Sequence, residues 1–153
     1  MKLFPLFIAL AGLCGPALAQ EFKMPGFKTQ STPAAVFDEH IDALNKCDLS
    51  RLMAQYPDDA VFILPDGVWM QGRDEILNLF LGFCKDRENG GLKGAEFHVE
   101  FTNVVGSTLN ISWRLEAPFL VEPYRGADAY VTKDGLMQAQ VTTFKVSDMN
   151  FKP

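Results

Sequence analysis

Residues 36–83 read VFDEHIDALNKCDLSRLMAQYPDDAVFILPDGVWMQGRDEILNLFLGF, and the spacing of apolar residues changes several times along them. On a wheel of about 100° per residue, Val36, Phe37, Ile41, Leu44 and Cys47 share one arc, and Asp38, Glu39, Asp42, Asn45 and Lys46 the other. That is an amphipathic helix, started by Thr32 as N-cap and Pro33 at the first helical position. His40 is its odd member, since it falls inside the apolar arc between Leu44 and Cys47. Asp48 suits the cap of a second, short helix that stops before Pro57. Two short strands, 60–64 and 68–71, then flank the tight turn Pro65-Asp66-Gly67. Gly72 precedes a third helix. Its first turn sets Asp74 and Glu75 against the positive end of the dipole, and Ile76, Leu79, Phe80, Phe83 and Cys84 share one face.

Downstream of the loop around Asn89-Gly90-Gly91 the period becomes two. Phe97, Val99 and Phe101 alternate with Glu96, His98 and Glu100; Leu109, Ile111, Trp113 and Leu115 alternate with Asn110, Ser112 and Arg114. Each pattern is that of a strand with one buried face. Gly106-Ser107 links the two as an antiparallel hairpin, and residues 128–132 and 136–146 form another across Lys133-Asp134-Gly135. Between these hairpins, residues 117–124 carry Pro118 and Pro123 and read as an irregular rim. Helices followed by a run of antiparallel strands make an α+β domain over residues 33–153, with no internal repeat and no domain boundary.

Upstream lies a targeting segment. Lys2, the apolar run 3–13 and the small-residue site Ala17-Leu18-Ala19 read as a signal peptide over residues 1–19. The mature protein is then expected in the periplasm or secreted, with no membrane contact after cleavage, and residues 20–32 form a flexible N-terminal arm. Export leaves Cys47 and Cys84 as an even pair. In an oxidising compartment they either join as a disulfide or sit as two buried thiols, and the sequence leaves both open. The formal net charge of −5 provides no basic footprint for nucleic acid. His40 and His98 are the only histidines and lack metal-ligand spacing; no phosphate-binding or dinucleotide motif occurs either. No metal and no cofactor are expected.

The run Ala43-Leu44-Asn45-x-x-Asp48-Leu49 continues into Tyr56-x-Asp58-Asp59-Ala60-Val61 and Gly72-x-Asp74-x-Ile76. It resembles the SnoaL-like branch of the NTF2-like superfamily. The resemblance implies a cone, with three N-terminal helices packed on a strongly curved antiparallel sheet around a pocket, and a homodimer paired through the sheet's outer face. Within the superfamily the first run is similar to that of ketosteroid isomerase. That register lays the isomerase's oxyanion-hole tyrosine over His40 and its oxyanion-hole aspartate over Asp128. Its general base, an aspartate before a proline, falls on Leu64 before Pro65, so the abstracting group is missing.

Three functional readings follow, because this superfamily contains enzymes, binders and interaction modules. The leading one is an exported domain that binds a small hydrophobic molecule in a pocket lined by Phe37, His40, Phe62, Trp69 and Trp113. The second is a cofactor-independent isomerase, dehydratase or cyclase, in which Asp128 orients His40 and His40 moves the proton. The third is a dimeric interaction domain without a ligand.

Overall fold

Thr32 and Asp48 act as the sequence suggests. In the computed structural model, which describes residues 22–153, the Thr32 hydroxyl accepts from Ala35 N at 3.1 Å and starts helix α1, Pro33–Asn45. The Asp48 carboxylate accepts from Arg51 N at 3.0 Å and starts helix α2, Leu49–Met53. The segment read as a signal peptide lies outside the described residues. Strands β1 (Val61–Ile63) and β2 (Trp69–Gln71) come next, and only then helix α3, Gly72–Phe83. Two helices thus precede the first hairpin and one follows it, as the residues read; the three helices that the resemblance implied do not all lead the sheet. Four long strands follow: β3 (Glu96–Val105), β4 (Thr108–Glu116), β5 (Tyr124–Lys133) and β6 (Leu136–Thr142).

The six strands form one sheet in the order β2-β1-β6-β5-β4-β3. All neighbours are antiparallel except β1 and β6, which run parallel with Val61 beside Ala139 and Ile63 beside Val141. The sheet is therefore mixed, which corrects the antiparallel reading. Alternation reports which face of a strand is buried; it does not report which distant strand lies alongside. Irregularities between Val99 and Phe101 in β3, and between Val131 and Thr132 in β5, interrupt the ladders; such bulges bend a strand and increase its twist.

Three long-range ties hold these elements together. Asn45 accepts from Phe97 N at 2.8 Å and donates to Phe97 O at 3.0 Å, so its amide replaces a strand partner at the start of β3. Cys47 and Cys84 are joined as a disulfide with their Cα atoms 5.6 Å apart, linking the C-terminal ends of α1 and α3. The described part of the N-terminal arm, residues 22–32, lies along the domain. Lys28 N donates to Ala54 O and Gln30 N to Gly135 O, while Arg73 donates to Pro25 O at 2.7 Å and stacks over Phe27. Between helices and sheet sits one apolar core that includes Val36, Leu52, Met53, Tyr56, Ile76, Leu109 and Leu115.

Candidate functional site

On β5 and β6 the usual polarity of a sheet is reversed. Asp128, Tyr130, Gln140 and Thr142 face the interior, while Val131 and Val141 face outward. The register sets Asp128 opposite Thr142 and Tyr130 opposite Gln140. Across the parallel pair, Phe62 of β1 stands beside Gln140. These residues form the polar floor of a cavity of about 50 Å³ walled by Leu44 of α1, Leu79, Phe80 and Phe83 of α3, Phe97 of β3, and Leu64 and Phe144 just beyond β1 and β6.

The floor is hydrogen-bonded within itself. Thr142 donates to Asp128 Oδ1 at 2.6 Å, Tyr130 donates to Asp128 Oδ2 at 2.6 Å, and Gln140 Nε2 donates to the same oxygen at 3.3 Å. Tyr56 in turn donates to Gln140 Oε1 at 2.9 Å. The indole N–H of Trp113 points toward this carboxylate and opposes its protonation, yet it closes no hydrogen bond of its own. Burial raises the Asp128 pKa above the ordinary carboxylate value, against the pull of these donors. Burial, and then the charge of Asp128, hold both Tyr56 and Tyr130 well above the usual phenol value, so each remains an O–H donor.

The residues singled out from the sequence divide into three groups. Phe62 and Asp128 line the cavity. Phe37, His40 and Trp113 are core residues behind it: Phe37 packs on Tyr130 with ring centroids 5.2 Å apart, and Trp113 lies edge-on to Phe97 at 5.0 Å. Trp69, on the edge strand β2, is 58% exposed and takes no part. His40 is completely buried among Tyr56, Phe80 and Tyr130, at centroid separations of 6.0, 6.0 and 5.6 Å. Among the described residues neither ring nitrogen has a hydrogen-bond partner, and the expected His40–Asp128 pair is not formed. Desolvation lowers the His40 pKa from 6.5 to about 4, which leaves a neutral ring.

The sequence reading passed over Tyr130, Gln140 and Thr142, together with Leu79, Phe80, Phe83, Phe97 and Phe144 on the walls. One signal was present: on β6, Gln138, Gln140 and Thr142 repeat at period two opposite Met137, Ala139 and Val141. Alternation alone assigns the apolar set to the core, yet Gln140 and Thr142 face in and Val141 faces out; the irregularity between Val131 and Thr132 separates them from Met137, which is buried, and Gln138, which bonds Asp59 at the surface. Among the described residues no three His, Cys, Asp or Glu side chains gather as a metal site. Chemically, the floor holds a buried carboxylate as an acceptor beside an amide, within an aromatic wall.

The architecture has known counterparts. An NTF2-like protein of unknown function from Cytophaga hutchinsonii superposes with a TM-score of 0.60 at 16% identity, over 78% of this chain and 95% of that one. An LEH-like epoxide hydrolase of M. tuberculosis gives 0.57 at 16%, over 76% and 85%. A Kribbella flavida protein described as a ketosteroid isomerase gives 0.58 at 20%, over 79% and 81%. At such identities the likeness speaks to the fold. No curated protein sequence matches the chain significantly. The profile of the SnoaL-like domain family matches residues 37–140, from the second turn of α1 to the middle of β6. The chain belongs to the SnoaL-like domain family, built on an NTF2-like fold.

Proposed function

We propose that this protein is an exported binding domain that holds a small, mostly apolar molecule in the cavity under α3, anchored by one polar group at Asp128. The observation that carries the reading is the buried carboxylate on the floor of an otherwise apolar cavity. Burying a carboxylate is costly unless donors surround it, and a perturbed acid inside a concave apolar site is a mark of function. The modest volume selects a single small ring or a short branched chain. The rival acid/base reading is weakened because His40 stands behind the cavity wall and engages neither Asp128 nor any other partner.

Two further features support companion readings. The bonded Cys47–Cys84 pair suits the oxidising compartment to which a signal peptide would deliver the chain. By strand register, Phe101, Val105, Val131 and Val141 share the outer face of the sheet, and all are exposed, Phe101 by 62%. An apolar outer face of this kind suits pairing of two copies.

The test is a thermal-shift and NMR screen of small cyclic molecules on the exported protein, alongside Leu79→Trp, which fills the cavity from α3. Binders should raise the melting temperature of the wild type and leave Leu79→Trp unmoved. An equal response in both proteins would reject the cavity as the site. Native mass spectrometry of the same sample reads the dimer, and its denatured mass reads cleavage after Ala19.

A further inference from the structure

Tyr56 is fully buried and does not line the cavity. Its hydroxyl has one task among the described residues, to donate to Gln140 Oε1. That contact sets the orientation of the Gln140 amide, because it places the carbonyl on the Tyr56 side and the NH₂ on the Asp128 side. Every other group that reaches Asp128 also arrives as a donor. The Tyr130 phenol donates. Phe144 N already donates to the Thr142 oxygen, so the Thr142 proton is directed at Asp128. Trp113 carries a donor only. The remaining titratable group of the cluster, His40, contacts the rings of Tyr56 and Tyr130 and is kept neutral by burial.

The consequence for a ligand follows from counting lone pairs. Asp128 Oδ2 is filled by Tyr130 and Gln140, while Oδ1 receives Thr142; because the Trp113 indole N–H closes no hydrogen bond with the carboxylate, Oδ1 keeps one acceptor position. Gln140 keeps a second N–H. A hydroxyl meets both, since it donates to Oδ1 and accepts from Gln140. A ketone meets only the amide and sets its oxygen against a carboxylate.

We infer that Tyr56 is a specificity-determining positioning residue: acting through Gln140, it holds Asp128 as an acceptor, so the cavity selects ligands that donate, alcohols and phenols, over carbonyl compounds. This rests on the reading of the cavity as a binding site. Without the Tyr56 hydroxyl, the Gln140 carbonyl loses its partner and the amide is free to turn. A turned amide faces Asp128 with an oxygen, an arrangement that favours the protonated acid and with it a carbonyl ligand.

The test uses two probes of nearly equal shape, cyclohexanol and cyclohexanone, titrated by NMR into the wild type, Tyr56→Phe and Gln140→Met. A hydrogen bond to a charged acceptor predicts about tenfold or greater preference for the alcohol in the wild type. Both variants should reduce it to within about threefold, on the same scale. In parallel, the carboxyl ¹³C signal of Asp128 is followed against pH without ligand, and its midpoint should move upward in both variants. Equal binding of the two probes to the wild type, or an unmoved Asp128 midpoint in Tyr56→Phe and Gln140→Met, would overturn the inference. The carboxyl titration needs no ligand, so it decides the role of Tyr56 even if neither probe binds. That last result counts against the binding reading itself.

Discussion

Replacing His40 by leucine should stabilise the protein in acid far more than at neutral pH. Folding takes the imidazole from an ordinary pKa of 6.5 to about 4, with desolvation as the cause. A basic group whose folded pKa is depressed binds fewer protons in the native state than in the unfolded chain. Its contribution is therefore intact above the unfolded value and is lost as pH falls from 6.5 toward 4. The full linkage is about 3 kcal/mol, of which about 2.5 kcal/mol is lost by pH 4.5. Leucine at this position does not titrate, so that loss disappears. It also removes two buried ring nitrogens that lack partners, a cost of about 1–3 kcal/mol when such groups are left unsatisfied. The assay is urea unfolding followed by tryptophan fluorescence at pH 7 and pH 4.5, since Trp113 is buried and reports the core. Asp128, raised by burial, contributes with the opposite sign, but it is common to both proteins and cancels in the difference. A pH-dependent gain below about 1 kcal/mol would refute the reasoning and would mean that the imidazole finds a proton-accepting partner in solution.

Three other outcomes follow from the packing. Reduction of Cys47–Cys84, or the double change to serine, should lower stability by about 4 kcal/mol on loop-closure entropy, read as a fall in melting temperature under reductant. Gly126→Ala should destabilise by about 1–3 kcal/mol in chemical denaturation, because a Cβ there meets the indole of Trp113 and the hydroxyl of Thr143. Asn45→Ala leaves Phe97 N and O without their partner and should cost about 2 kcal/mol. Hydrogen exchange at Phe97 would accelerate in that variant even if global unfolding hardly changed.

Much of the helical half was legible because its instructions are local. A cap acts on amides two or three residues away, which is why Thr32 and Asp48 could be read from their neighbours. The apolar arc of α1 was equally plain: Val36, Phe37 and Leu44 are buried, while Ile41 and Cys47 at its margin are half-buried. The same periodicity does not separate pocket walls from core. Apolar and aromatic residues on a buried arc were read as pocket walls, yet Phe37, His40 and Trp113 pack behind the cavity. Trp69 was read as a wall although its strand closes an edge of the sheet. Conversely, Gln140 and Thr142 were passed over because polar positions on a strand default to solvent.

What the sequence by itself determined is the set of local elements, their chain order and the family signature from Ala43 to Ile76. Caps, turns and hydrophobic periods act over a few residues, and the chain states them directly. Only the tertiary structure decided that β1 lies parallel to β6, that Cys47 meets Cys84, and that Tyr56, Asp128, Tyr130, Gln140 and Thr142 join in one network. Tyr56 and Gln140 are 84 residues apart in the chain. No local period encodes a meeting at that separation; it arises when the sheet and α1–α3 close around a common core.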